Sequence, residues 1–269
     1  MAPSLGALED TPENIWGTKP YNPETDRDLP TVFFGLYGFP DFYELWRHRG
    51  KKWVLWAGSD IRHFADGYHL TEGGNIKIQP ERIAQYLATQ CENWVENYVE
   101  ANALLEFGVP TKITPSFLGK VENFEISYKP GKKVKLYTSV SGDNFNLYGW
   151  NKIHFLASEH PLIEFHLYGN TIPFVTSLPN VKDHGRVPKE QMNAEIKEMQ
   201  GALRLTDFDG FSEIIAKSIL MGQWPVSQIK YPYTLDVDHM GLIHHLKEPN
   251  KAGRDFYIKT LNKFPWVKK

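Results

Sequence analysis

From residue 31 onward, short apolar runs alternate with amphipathic stretches. TVFFGLYG is an apolar run of strand length closed by glycines, DFYELWRHRG has helical spacing ending in glycine, and KKWVLWAGSD is a second apolar run that ends in small and polar residues. This order predicts one β-α-β unit. QPERIAQYLATQ reads as a helix, CENWVEN as a short strand and YVEANALLEFGV as a helix stopped by Gly108, with Val99, Ala103 and Leu104 on one face; KITPSFLG follows as a strand. After a polar segment with a Pro-Gly turn, GKVENFEISYKPGKK, the alternation resumes. KVKLYTSV, LIEFHLYG, NVKDHGRV, ALRLT and PVS read as strands, with helices expected at LYGWNKIHFLASEH, KEQMNAEIKEMQ and FSEIIAKSILMG. VDHMGLIHHLKEPN and AGRDFYIKTLNKF are two further expected helices.

Strands alternating with helices predict an α/β fold with parallel sheets. The expected organisation is an irregular surface arm over residues 1–30, where prolines interrupt any periodicity, a small first α/β domain over 31–122, a second over 123–250, and a terminal helix over 251–269 that can return to the first domain. Composition adds limits. A chain of 269 residues with 41% apolar and 23% charged residues suits a globular protein. The net charge of −2 excludes the broad basic field of non-specific nucleic-acid binding, so an anionic ligand needs a local site. One cysteine, Cys91, permits no internal disulfide. No apolar run reaches the length of a membrane span and the amino terminus lacks a signal-peptide core, so a soluble, cytoplasmic protein is expected.

Ligands of open parallel sheets bind beyond the carboxyl ends of the strands, which directs the search to four loops. The first, SVSGDNFNLYG, offers Ser139, Ser141, Asn144, Tyr148 and Gly149 before a helix amino terminus that attracts phosphate; the alternative is a solvated loop capped by Asn146. Gly169-Asn170 allows close backbone approach to a flat ligand, or simply turns the chain. Gly185 and Arg186 stand between a strand and a helix, where Arg186 suits bidentate phosphate binding or is solvated surface. In the fourth, Thr206 ends a strand and Asp209, Gly210, Phe211 and Ser212 lead into a helix whose Phe211, Ile214, Ile215, Ser218 and Ile219 recur at helical spacing. Asp209 is also an ordinary capping residue.

The stretches HLYGN, NVKDHGRV and DFDGFSEIIAKSILMGQWPV, in that order, resemble the carboxyl-terminal nucleotide-sugar-binding domain of GT-B glycosyltransferases, particularly the large retaining family with two Rossmann-like domains. ENWVENYVEANALLEFGVPTKITPSF is similar to the end of that family's amino-terminal domain, and WAGSDI to a W-x-G-T/S-D segment of some members. The resemblance implies a GT-B fold with a reduced amino-terminal domain, acting as a metal-independent, hexosyltransferase-like enzyme on a nucleotide-sugar donor and an unidentified acceptor, with no further cofactor.

In that family, two glutamates of the last loop and helix contact the transferred sugar and the ribose hydroxyls. Asp209 falls at the first and Lys217 at the second. An ammonium only donates hydrogen bonds, so Lys217 cannot copy the ribose contact; it attracts the diphosphate or is an exposed helix lysine. The first loop offers hydroxyl and amide donors where the family has a diphosphate-binding pair, with Lys152 one turn into the following helix. Asp60 and His63 are the candidates at the acceptor hydroxyl, with helix capping and plain surface as their alternatives. Lys217 and the absence of a diphosphate-binding arginine in the first loop also support a second reading, a noncatalytic binding or assembly protein on a degenerate transferase fold.

Overall fold

A computed structural model describes residues 8–71 and 76–268; residues 1–7 of the expected arm, residues 72–75 and residue 269 lie outside them. The chain forms two compact units. One comprises the described residues of Met1–Lys120 together with Phe208–Phe211 and Thr260–Lys269; the other comprises Val121–Asp207 and Ser212–Lys259. These units are not contiguous in sequence, unlike the ranges expected from the pattern. The tetrapeptide 208–211 groups with the first unit, the helix Lys251–Thr260 groups with the second almost to its end, and only the tail after it joins the first.

The first unit runs α1 (Pro12–Trp16), β1 (Thr31–Phe34), α2 (Phe39–Arg47), β2 (Lys52–Leu55), α3 (Ser59–Ala65), β3 (Tyr68–His69), β4 (Lys77–Ile78), α4 (Pro80–Gln90), β5 (Glu92–Val95), α5 (Tyr98–Glu106) and β6 (Thr111–Ile113). Its main sheet is parallel in the order β1-β2-β5-β6, each new strand added on the same side. Successive crossovers therefore lie on one face. The pleat sorts the side chains accordingly. Val54, Trp56 and Val95 pack with Leu45 of α2, Phe64 of α3, Leu87 of α4 and Leu104 of α5. Trp53, Leu55 and Trp94 point the other way and are covered by Trp16, Leu118, Phe264 and Trp266.

The arm is thus more than a surface segment. Thr11 caps α1 by accepting the Asn14 amide, and Trp16 is only 1% exposed, its indole donating to Asn262 at 3.1 Å. Two tryptophan-bearing strands leave an aromatic face that needs cover, and α1 with Phe264, Trp266 and Val267 supplies it. The stripe of α5 also differs from expectation: Glu100 is buried beside Leu104, while Val99 and Ala103 are half-buried.

The second unit runs β7 (Val134–Ser139), α6 (Trp150–Glu159), β8 (Ile163–Tyr168), β9 (Val181–Gly185), α7 (Lys189–Ile196), β10 (Gly201–Arg204), α8 (Glu213–Leu220), β11 (Val226–Ser227), a 3-10 helix (Val237–His244) and α9 (Lys251–Thr260). Its five parallel strands are ordered β11-β10-β7-β8-β9, so the winding reverses between β7 and β10. One face of the sheet buries Trp150, Ile153 and Ala157 of α6 against Val134, Leu136 and Leu203. On the other, Ser218 of α8 accepts the Ala202 amide at 3.1 Å, and Tyr137 donates to Gln223 at 3.0 Å. Helix α8 is buried all round from Ile214 to Leu220, a broader burial than its five-residue stripe predicts.

The segment expected as a helix near residue 240 is a 3-10 turn instead. Met240 and Ile243, its two buried anchors, are three residues apart and share one side of a three-residue turn, and Asp236 caps its start.

Candidate functional site

A parallel sheet whose winding reverses opens a crevice outside the carboxyl ends of the two strands at the reversal. In the second unit these are β7 and β10, and several expected residues meet there. The Arg204 guanidinium at the end of β10 donates to the Ser139 carbonyl at 3.1 Å and lies 4.3 Å from the centre of the Tyr148 ring. Arg204 is 7% exposed. Gly149, in the left-handed region at φ 75°, is the N-cap of α6, and a Cβ there would meet the Leu205 carbonyl oxygen at 2.2 Å. Glycine is required by that close approach, which brings the loop after β7 onto the strand end that carries Thr206. Lys152, in the first turn of α6, donates to Asp207 at 3.0 Å and to Gln228 at 2.9 Å. The crevice therefore holds a buried arginine and an exposed, paired lysine beside a helix amino terminus.

Further out in the same loop, Asn144 bonds back to the Ser141 carbonyl, and Asp143 accepts the Thr171 and Ile172 amides at 2.6 and 3.1 Å. Asn146 accepts from Asn151 but Gly149, not Asn146, is the N-cap. Gly169 sits where a Cβ would strike the Val140 carbonyl oxygen at 2.2 Å, so its glycine serves packing between adjacent loops. Gly185 and the exposed Arg186 line a separate cavity of about 430 Å³ with Asn170, Thr171, Asp183 and His184.

Asp60 is buried in the first unit, and Asp209, Gly210 and Phe211 adjoin a buried carboxylate group there. Glu96, at the end of β5, accepts the Phe211 amide at 2.6 Å, the Ser116 amide at 3.2 Å and the Ser116 hydroxyl. Asn97 caps α5 through the Val99 and Glu100 amides and donates to the Asp209 carbonyl at 2.8 Å. A Cβ on Gly210 would fall 2.1 Å from Glu96 Oε2, and one on Gly58 2.8 Å from the Gly210 nitrogen. These contacts explain why 208–211 groups with the first unit. The Asp209 carboxylate itself accepts the Gly210 amide at 3.1 Å and is half-buried, while Ser212 is the N-cap of α8.

Burial drives the protonation of this group. Desolvation pushes Glu96 up to about 8 against the pull of its three donors, and the Asp209 charge adds to the rise. Glu100, fully buried, is raised well above the usual carboxylate range by desolvation and then by Glu96. Asp60 is pushed up to about 6 by complete burial. Its two oxygens accept the Leu36 and Ala57 amides, both at 3.0 Å, pinning the turns that follow β1 and β2. Asp60 is thus a structural carboxylate without access to an acceptor hydroxyl. His63 is exposed on α3 with its ring against Tyr37. Lys217 is 5% exposed, not a solvated helix lysine; it donates to Asn193 at 3.2 Å, with the Phe124 ring 6.0 Å away.

Arg204, Glu96, Glu100 and Asp183 escaped the sequence reading. A detectable signal existed for Arg204, the one charge inside an apolar strand that is covered on both faces. Among the described residues, no group of three or more His, Cys, Asp or Glu side chains is arranged to hold a metal ion, and no helix is long and apolar enough to cross a membrane.

No family model matches the chain, and no curated protein matches its sequence. Solved structures do match its fold. The apo lipopolysaccharide outer core galactosyltransferase WaaB aligns over 91% of this chain and 74% of its own, at TM-score 0.56 and 12% identity. TarM aligns over 85% of this chain and 51% of its own, at TM-score 0.51 and 12% identity. The pneumococcal O-GlcNAc transferase GtfA, in complex with UDP and GlcNAc, aligns over 82% of this chain and 51% of its own at TM-score 0.48 and 14% identity. The chain spans about half the length of TarM and GtfA. With its two parallel-sheet units, it has the GT-B fold of nucleotide-sugar glycosyltransferases.

Proposed function

We infer that the protein is a glycosyltransferase that moves a sugar from a nucleotide diphosphate donor to an acceptor, with the donor bound at the β7–β10 crevice. The observation that carries this reading is Arg204, a buried guanidinium at the winding reversal beside the amino terminus of α6. A diphosphate there meets a fixed cation and a positive helix end, and the negative charge that grows on the leaving diphosphate is stabilised by groups already in place. Ser139, Tyr148, Gly149 and Thr206 form the surrounding walls, and Lys152 exchanges its Asp207 partner for phosphate. Asp209 orients the sugar, and His63 is the remaining candidate on the acceptor side. GtfA and a TarM variant of S. aureus have been crystallised with UDP, which makes UDP-sugars the first donors to try. The reading needs no metal and no further cofactor.

The test is a titration of UDP and a panel of nucleotide sugars, with donor hydrolysis followed in parallel. The reading expects saturable nucleotide binding that weakens about 10- to 100-fold in Arg204→Gln, the loss of one charge-assisted contact, and turnover that falls in Asp209→Asn. Absence of nucleotide binding to the wild-type chain overturns it. Lys217 favours a second reading, a noncatalytic binding protein: at the position of the ribose-binding carboxylate it is buried and already donates to Asn193. Sugar transfer by the purified chain would eliminate that second reading.

A further inference from the structure

The tetrapeptide Phe208–Phe211 is held in the first unit by a different means at each residue. Phe208 packs against the helix-covered core, with the Arg62 guanidinium 5.8 Å from its ring centre, and Phe211 is buried. Gly210 has no room for a side chain, because Glu96 Oε2 stands 2.1 Å from where its Cβ would be. Asp209 supplies the one polar side chain of the four, half-buried and accepting the Gly210 amide at 3.1 Å.

The backbone beside that side chain is gripped twice. The peptide before Gly210 offers its carbonyl to the Asn97 side-chain amide at 2.8 Å, and the peptide after it donates its N–H to Glu96 Oε2 at 2.6 Å. Gly58, in the left-handed region at φ 80°, closes in as well, with room for no Cβ against the Gly210 nitrogen. The two gripping side chains are themselves locked. Glu96 Oε1 accepts the Ser116 amide at 3.2 Å and the Ser116 hydroxyl, and the Glu96 amide donates to Glu100 Oε2 at 2.7 Å. Asn97 caps α5 by accepting the Val99 and Glu100 amides at 2.9 and 3.2 Å.

This is more than a turn requires. A surface turn closes without buried polar side chains, and Glu96 and Asn97 are both buried at a desolvation cost that only complete hydrogen bonding offsets. The arrangement is what a precisely placed carboxylate requires: a group that orients a substrate is held to within about 0.5 Å by neighbours whose own rotamers are fixed.

We propose that Glu96 and Asn97 are positioning residues for Asp209: through the Phe211 amide and the Asp209 carbonyl they fix the two peptide groups that flank Gly210, so that the Asp209 carboxylate meets the transferred sugar in one orientation. The inference rests on the reading of Asp209 as the sugar-orienting group. Both residues act through the backbone of 209–211.

Turnover of nucleotide sugars by the full chain, with UDP affinity measured in parallel, tests it. Glu96→Leu removes the acceptor of the Phe211 amide. Asn97→Ser keeps an oxygen that caps α5 and is too short to reach the Asp209 carbonyl. Turnover should fall about 10- to 100-fold in Glu96→Leu and by a smaller factor in Asn97→Ser, with UDP affinity as in the wild type. Glu96→Gln should restore most of the turnover, since its carbonyl oxygen serves the Phe211 amide and its N–H the Ser116 hydroxyl. Combined with Asp209→Asn, neither Glu96→Leu nor Asn97→Ser should lower turnover further, whereas a purely structural role adds its own loss. Where Glu96→Leu does not fold, Asn97→Ser decides the matter alone. Losses that add to that of Asp209→Asn, or full turnover in Asn97→Ser, overturn the inference and leave the transferase reading standing. A wild-type chain that turns over no nucleotide sugar refutes that reading, and the inference with it.

Discussion

The two sheets of this protein solve the same covering problem in different ways. In the first unit each strand is added on the same side, β1-β2-β5-β6, so helices occupy one face and tryptophans under α1 and the terminal tail close the other. In the second unit the order β11-β10-β7-β8-β9 reverses once, and helices cover both faces. The reversal has a chemical consequence. At the ends of β7 and β10 the buried Arg204 bonds the Ser139 carbonyl and Gly149 packs on the Leu205 carbonyl, and the rule for sheets of this topology puts the ligand at those ends. At the same ends of the first sheet the turns converge on Asp60, Glu96 and Glu100, whose carboxylates are committed to backbone amides. In this chain buried carboxylates fill the strand ends of the one-way sheet and seal them, whereas the ends at the reversal carry a buried arginine.

The comparison is broken most severely from the sealed side. Trp56 is fully buried in the first unit and donates to Asn93 at 3.3 Å; Trp56→Ala should cost about 3–5 kcal/mol in chemical denaturation and leave the second unit folded. Asp60→Ala leaves two buried amides without acceptors and should cost about 2–4 kcal/mol. Smaller in effect is pH. Folded Asp60 and Glu96 titrate near 6 and 8, well above unfolded carboxylates near 4, so the folded state holds their protons over that range. Their stabilisation is present in full below about pH 4 and is lost as pH rises through 6 and then 8. Denaturation followed by tryptophan fluorescence, which reports largely on Trp16, Trp53, Trp56, Trp94 and Trp266, should therefore show the first unit weakening from pH 5 to 9, with a flatter profile in Glu96→Gln. A profile that rises with pH would contradict the assignment.

The order of strands and helices was readable because each apolar run had the right length and each helix the right period. KKWVL became β2, QPERIAQYLATQ became α4 and KVKLYTS became β7 with bounds shifted by a residue or so. What was hidden depended on partners distant in sequence. Trp16 looked like part of an irregular arm because the strands it covers begin at residue 31. Asp60 looked catalytic because a carboxylate after a strand is indistinguishable, locally, from one that reaches across to the Leu36 amide. Lys217 was open to two readings, diphosphate attraction or an exposed helix lysine, and the second fails because the helix is buried on every side. Gly169 was open to two readings, a ligand approach or a plain turn, and it is glycine because the Val140 carbonyl leaves no room for a Cβ. Arg204 went unmarked inside ALRLT, though a charge in a doubly covered strand is the kind of local conflict that accompanies function.

Amide hydrogen exchange with and without UDP is the most direct test of the claim that the open strand ends of the second sheet bind the ligand. Protection is expected over residues 139–152 and 203–207, with the turns after β1 and β2 unchanged and the effect lost in Arg204→Gln. Protection confined to residues 35–37 and 57–60, or none at saturating UDP, would contradict it.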